Sequence, residues 1–217
     1  MADWLDLKKE MAGQPPIQLG PYFTFILRKS PRRLLHQLSY AKFAAKIIGA
    51  GKSVLDVGCS EGLSTLLLAE FAPHCVGTDI DQSAIQSAQA NFGTEKLSFV
   101  AGDIFSQNLG RFDAVTSFDV IEHIPKEREV AFLDRLVLHL KKPGILVIGT
   151  PNITSDIYAS PITKAGHINL YDADRMRNLL NTRFESSVVF SANDEVVHTG
   201  FSPLAHYLLG IGFGLKD

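Results

Sequence analysis

The chain has 217 residues, 46% hydrophobic and 20% charged, with 21 Lys and Arg against 23 Asp and Glu. That supports one domain with an ordinary core and excludes collagen-like, coiled-coil and uniformly disordered chains. No apolar run approaches the about 18 residues of a membrane span, and Met1 to Glu10 carry acids and lysines instead of the apolar stretch of a secretory signal. Charge is unevenly spread: residues 1–52 hold nine Lys/Arg and three acids, the remainder twelve and twenty. The basic excess reads either as a solvated N-terminal helix or as a cap that attracts an anionic substrate. Cys59 and Cys75 cannot make a zinc site alone and read as reduced thiols of a cytoplasmic protein.

In chain order, Gln14-Pro15-Pro16 and Gly20-Pro21 break residues 1–29 into an irregular arm. Ser30-Pro31 then opens a helix whose apolar residues Leu34, Leu35, Leu38, Phe43, Ile47 and Ile48 recur at helical spacing until Gly49 and Gly51. A strand over 53–57 follows, then a glycine turn and a helix bearing Leu63, Leu66, Leu67 and Phe71. Strands at 74–79, 97–101, 114–118 and 145–149 alternate with helices around 83–91 and 126–140, the latter stopped by Lys141 to Gly144. A loop of about twenty residues leads to a helix near 173–181 and two β-prone segments, 188–191 and 195–199. Such alternation describes a parallel, doubly wound α/β sheet with helices on both faces, which binds ligands beyond the carboxyl ends of its strands.

The run Val54-Leu55-Asp56-Val57-Gly58-Cys59-Ser60-Glu61-Gly62 puts an acid inside the first strand and glycines four apart in the turn. A nicotinamide or flavin pyrophosphate would want G-x-G-x-x-G, but Ser60 and Leu63 hold the second and third glycine positions, which disfavours an oxidoreductase. A cofactor without pyrophosphate asks for room at Gly58 and free backbone N–H groups at the next helix. Asp79, 23 residues after Asp56, can accept both ribose hydroxyls, and Asp103, 24 residues further, an adenine amine. The bland alternative is that each carboxylate caps the following helix.

In this order and spacing, Asp56-x-Gly58-x-x-x-Gly62, Gly77-Thr78-Asp79-Ile80, Gly102-Asp103-Ile104 and Phe112-Asp113-Ala114-Val115 resemble the class I S-adenosylmethionine-dependent methyltransferases over residues 30 to 190. The resemblance implies a Rossmann-like, mostly parallel seven-stranded sheet and S-adenosylmethionine as cofactor. It places the methionine part against Gly58, Cys59, Ser60 and Gly62, the ribose on Asp79, and the adenine on Asp103 with the Ile104 backbone. Asp56, Ile80 and Phe118 complete the expected lining. Ser60 replaces the family's usual middle glycine, a local adjustment.

Phe118-Asp119-Val120-Ile121-Glu122-His123 is the second dense cluster. If a helical turn starts here, Asp119, Glu122 and His123 share one face. Methyl transfer needs the nucleophile held in line and its proton removed, and a histidine near neutrality suits the second task. The D-x-x-E-H string resembles the E-x-x-E-H of ubiquinone-biosynthesis O-methyltransferases and of small-RNA 2′-O-methyltransferases, where acids and histidine bind a divalent metal. Asp119 stands where those families have Glu. His167 would complete such a set, and Asp119, Glu122, His123 and His167 would suit magnesium, manganese or iron. Without a metal, His123, His167 and Asp119 are the catalytic candidates; in the structural alternative Glu122 meets a helix dipole and His123 bonds a carbonyl.

Three segments are expected around the acceptor: the arm 1–29, the loop 152–169 as a lid, and an apolar tail, 201–217, that packs on the 30–200 body, covers the acceptor, touches a membrane surface or forms a homodimer. The expected partner is a small-molecule acceptor methylated on oxygen in preference to nitrogen. A metal-assisted RNA enzyme and a non-catalytic S-adenosylmethionine binder are the rivals, although no aromatic-rich basic stripe marks nucleic-acid binding.

Overall fold

The computed structural model describes residues 3–216, so Met1, Ala2 and Asp217, at the extremes of the predicted arm and tail, lie outside it. The arm carries two helices, α1 (Trp4–Ala12) and α2 (Pro21–Lys29), followed by α3 (Pro31–Ile48). Pro15 and Pro16 lie in the irregular stretch between α1 and α2, but Pro21, expected to break the chain, sits at the first position of α2, as Pro31 does in α3 as expected; a missing N–H costs nothing there.

The alternating body follows with β1 (Val54–Val57), α4 (Leu63–Ala69), β2 (Cys75–Asp79), α5 (Gln82–Phe92), β3 (Leu97–Ala101), β4 (Phe112–Phe118), α6 (Glu129–Leu138) and β5 (Leu140–Pro151). It continues with α7 (Pro161–Gly166), α8 (Ala173–Asn181), β6 (Phe184–Asn193), β7 (Val196–His198) and β8 (Tyr207–Leu215). The strands form one sheet of eight in the order β3-β2-β1-β4-β5-β8-β6-β7. β1 to β5 are mutually parallel, and the three remaining pairings are antiparallel. The two predicted β-prone segments are β6 and β7, and the extra strand over the expected seven is β8, inside the segment read as an apolar tail. α6 ends earlier than the apolar pattern suggested, because Leu140 already pairs with Phe112.

Successive strand residues feed two cores, one per face. Val54, Cys75, Phe99 and Ala114 pack with Tyr40, Ala44 and Ile48 of α3, Leu68 of α4 and Ile85 and Phe92 of α5. Their neighbours Leu55, Val76, Val115 and Leu146 pack with Phe132 and Leu136 of α6 and Met176 and Leu180 of α8. Both cysteines are buried and unpaired, and burial pushes each thiol well up. No helix among the described residues is long and apolar enough to cross a membrane.

The largest departure concerns the predicted tail. Residues 207–215 are a strand threaded between β5 and β6, with Leu208 and Leu209 fully buried. Gly210, Gly212 and Gly214 make the segment look like a loose end. The first two are present because α8 and β6 press on the strand: a Cβ would meet Met176 Cγ at 2.7 Å from Gly210, and the Phe184 ring at 2.5 Å from Gly212. The segment 152–169 is likewise two short helical pieces, a 3-10 turn (Ile153–Tyr158) and α7, capped by Asn152 and Ser160. If residues 207–215 are integral, Leu208→Ala costs about 2–5 kcal/mol in chemical denaturation; a peripheral tail would give a loss within about 0.5 kcal/mol.

Candidate functional site

The carboxyl ends of β1 to β5 open into a pocket of about 960 Å³. Its lining includes Asp56, Gly58, Cys59, Ser60, Asp79, Ile80, Asp103, Ile104, Phe118, Asp119, Glu122, His123 and His167. Every sequence-predicted site residue except Gly62 therefore faces one cavity. Gly62 turns away: its φ is +85°, and a Cβ would meet the Phe99 ring at 2.7 Å and Ala88 at 2.9 Å. Its glycine serves the seating of α4 on the neighbouring strand and helix.

The turn is held from inside the fold. The N–H groups of Gly58 and Cys59 both donate to the Thr78 carbonyl, at 2.8 and 3.1 Å, and Ser60 N–H donates to Asp79 Oδ2 at 2.9 Å. These three donors of the turn are spent inside the protein. Ser60 adopts a left-handed φ of 49°, the conformation a glycine would take without strain. Asp56 is buried with one oxygen on Thr65 (2.7 Å) and the other on Thr116 (2.8 Å). Burial raises its carboxyl to about 6, with the two hydroxyls pulling the other way.

Neither strand-end acid caps the next helix through its side chain; Asp81 caps α5. Asp79 accepts from Ser60 and Asp81 through separate oxygens, leaving a further lone pair on each. Asp103 is exposed at the lip and accepts from Phe105 N–H at 2.9 Å.

The acid–histidine cluster departs from the shared helical face. Asp119 has a left-handed φ of 56°, and only Ile121–His123 form a 3-10 turn. Asp119 therefore points among Tyr207, Gln37, His123 and Arg33, while Glu122 is fully buried. Thr150 Oγ1 donates to Glu122 Oε2 at 3.0 Å, and Oε1 has no partner among the described residues. Burial and the neighbouring Asp119 push the Glu122 carboxyl up to about 8; burial also raises Asp119. His123 Nδ1 lies 2.8 Å from the Gly166 carbonyl. A carbonyl only accepts, so Nδ1 carries the proton and Nε2 keeps its lone pair. His167 stands edge-on to His123, ring centres 5.0 Å apart, and burial with the neighbouring imidazole lowers its pKa.

Donor atoms of Glu122, His123 and His167 lie within 4.8 Å of one another, a set able to hold a divalent cation. Asp119, the fourth expected ligand, is not part of that group. A second cluster comprises His36, Asp194 and His206, of which the two histidines line the pocket. There His206 Nε2 accepts the Asp194 N–H at 2.7 Å, which spends that lone pair inside the protein.

Several pocket residues carry no sequence motif. Tyr207 stacks on Tyr40, ring centres 4.1 Å apart and 12° from parallel, and its buried hydroxyl lacks a hydrogen-bond partner among the described residues, as does Gln37 Oε1. They come from β8 and α3, and only the three-dimensional pairing brings them beside Asp119. Arg33 lines the same side and forms no salt bridge among the described residues.

A raised Glu122 pKa makes the fold less stable as pH increases. Between its ordinary range near 4.5 and its folded value near 8, the folded state holds a proton that the unfolded state has released. Glu122→Gln removes that titration, so its stability relative to wild type should rise from pH 5 to pH 8 by at least about 1 kcal/mol. Paired denaturation curves at the two pH values check this, and a constant difference would contradict the assignment.

A family profile described as a methyltransferase domain matches residues 26–183. A probable S-adenosylmethionine-dependent methyltransferase of Mycolicibacterium smegmatis is 28% identical over 119 residues, 54% of this chain and 44% of that protein. A ubiquinone biosynthesis O-methyltransferase of Xanthomonas campestris is 27% identical over 150 residues, 64% of this chain and 60% of that one. The matches thus span about half the length of these curated relatives. Among solved structures, the N-methyltransferase NodS of Bradyrhizobium japonicum, in complex with S-adenosylhomocysteine, superposes with a TM-score of 0.59 at 20% identity, covering 97% of each chain. Its likeness extends to the fold. With well over half of its length inside the family profile, the chain belongs to the methyltransferase-domain family.

Proposed function

We propose that the chain is an S-adenosylmethionine-dependent methyltransferase that methylates an oxygen, in preference to a nitrogen, of a small anionic acceptor. The observation that carries this reading is His123. Its Nδ1 is committed to the Gly166 carbonyl, which leaves the Nε2 lone pair to a residue lining the same cavity as the strand-end acids Asp79 and Asp103.

The cavity fits the cofactor on chemical grounds. Each oxygen of Asp79 has a lone pair left for a ribose hydroxyl, and Asp103 offers an acceptor at the lip. The volume lies at the upper end of the about 300–1,000 Å³ usual for ligand sites, which leaves room for an acceptor beside the cofactor. When bound, S-adenosylmethionine supplies an electrophilic methyl carried on a sulfonium. The protein's own task is then to hold the acceptor hydroxyl in line and remove its proton, and orientation alone contributes up to about 7–11 kcal/mol. His123 Nε2 receives that proton, and the resulting imidazolium keeps its Nδ1–H on Gly166. Arg33, without a salt bridge among the described residues, provides a counter-charge for an anionic acceptor.

The O-methyltransferase relatives from Xanthomonas campestris and Schizosaccharomyces pombe, 27% and 28% identical, favour oxygen. A second reading, metal-assisted methylation of an RNA 2′-hydroxyl, is favoured by the convergence of Glu122, His123 and His167. The absence of Asp119 from that set weighs against it.

Incubation with labelled S-adenosylmethionine and fractionated metabolites should yield a methylated small anion. His123→Ala should lower turnover by about 10² to 10⁴ while S-adenosylhomocysteine affinity stays within about threefold. Undiminished turnover would reject His123 as the base, and inactivation by a chelator, reversed by a divalent ion, would favour the metal reading.

A further inference from the structure

The geometry points to Glu61 as a positioning residue that fixes helix α2 over the acceptor side of the pocket and ties it to the cofactor loop. Glu61 sits between Ser60 and Gly62, yet its side chain leaves the loop and crosses to the N-terminal segment. There its Oε1 accepts the Tyr22 N–H at 2.7 Å and its Oε2 the Phe23 N–H at 3.2 Å. Glu61 is only 2% exposed, although its neighbours Cys59 and Ser60 line the pocket.

The hydrogen-bond accounting of α2 is completed by this one side chain. A helix begins with N–H groups that have no intrahelical partner. In α2 the first position is Pro21, which has no N–H, and Thr24 N–H already reaches the Gly20 carbonyl. Tyr22 and Phe23 hold the two remaining donors. Gly20, the residue before the helix, offers no side-chain cap, and a Cβ there would meet Glu61 Oε1 at 2.4 Å. The sequence around the helix start thus leaves both a chemical vacancy and a physical space that the cofactor-loop carboxylate fills.

Tyr22 is held at both ends. Its backbone is on Glu61, and its hydroxyl lies 2.9 Å from Gln37 Nε2, on the α3 residue that also neighbours Asp119. Tyr22 and Phe23 both line the pocket. A continuous path therefore runs from Asp79 through Ser60 N–H to the loop, through Glu61 to Tyr22, and through Gln37 to the pocket wall around Asp119. Ordering of the loop by a bound cofactor and ordering of α2 are then coupled, and the coupling is reciprocal. This inference rests on the proposed cofactor site, since only a ligand at that site would act on the loop.

Hydrogen–deuterium exchange separates the parts of this claim. Wild type, Glu61→Ala and Glu61→Gln are compared with and without S-adenosylhomocysteine, together with its calorimetric affinity and the acceptor KM. In the free wild-type protein the Tyr22 and Phe23 amides should exchange slowly, and S-adenosylhomocysteine should slow them further. Glu61→Ala should speed them by about tenfold or more and abolish the ligand effect, with β1 and β4 amides unchanged. Glu61→Gln, which keeps one acceptor oxygen, should recover part of the protection. Affinity for S-adenosylhomocysteine should change by less than about threefold, while the acceptor KM rises by about tenfold and kcat falls less.

Unchanged exchange at Tyr22 and Phe23 in Glu61→Ala would overturn the positioning role, as would a loss spread evenly over the sheet. Binding of S-adenosylhomocysteine without any effect on these amides in wild type would overturn the coupling. Failure of wild type to bind it would overturn the cofactor reading and the coupling together, and the ligand-free comparison would still decide whether Glu61 holds α2.

Discussion

The parallel alignment of β1 to β5 is the constraint on which the site depends. Parallel strands end along one edge, so the turns after β1 to β5 meet there whatever their individual sequences. Asp56 locks the centre of that edge. Its two oxygens bind a hydroxyl of α4 and a hydroxyl of β4, so the first strand, its helix and its neighbour cannot shift independently. Thr78 repeats the device on the next strand: its carbonyl takes two loop N–H groups, and its hydroxyl reaches Val100 and Gln107 beyond β2. The loop after β1 is bonded downward into the sheet, and under the proposed function its outward face is left for the cofactor.

Burial converts formal charge into something more graded. The sequence places five carboxylates, Asp56, Asp79, Asp103, Asp119 and Glu122, at the strand ends. In the folded chain Asp56 is raised to about 6 and Glu122 to about 8, while Asp79 and Asp103 stay accessible and hydrogen-bonded to backbone N–H groups. Near neutral pH Glu122 is thus a neutral acid, able to donate through the oxygen that lacks a partner. A ligand bringing cationic charge near Glu122 and Asp119 would favour their ionised forms, so occupancy of the pocket and its proton content are linked.

The Rossmann-like half was legible because each of its features is local. An acid at the end of a β-prone run, glycines in the following turn and a helical period afterwards are all written within a dozen residues. Gly62 shows the limit of such reading: it belongs to the motif, yet it serves packing against Phe99 and Ala88. Strand β8 was illegible because its glycines answer to Met176, Leu180 and Phe184, about thirty residues earlier in the chain. Asp119 fitted a helical face by spacing, but its left-handed φ turns it toward Tyr207 and Gln37, which no local pattern reveals. Glu61 is the plainest case. It reads as an ordinary polar loop residue, and only the uncapped start of a helix 38 residues earlier explains its burial. One wall of the pocket is assembled from α2, α3, β8 and the 153–166 helices, segments distant in sequence, whereas the other follows the chain from strand to strand.

The central claim is that the strand-end acids form a nucleoside-binding edge, and calorimetric titration with S-adenosylhomocysteine of wild type and Asp79→Ala tests it most directly. Losing two hydrogen bonds between ribose hydroxyls and a carboxylate should weaken binding by about a hundredfold or more, with NAD failing to bind either protein. Equal affinity in the two proteins, with the melting temperature preserved, would contradict the account.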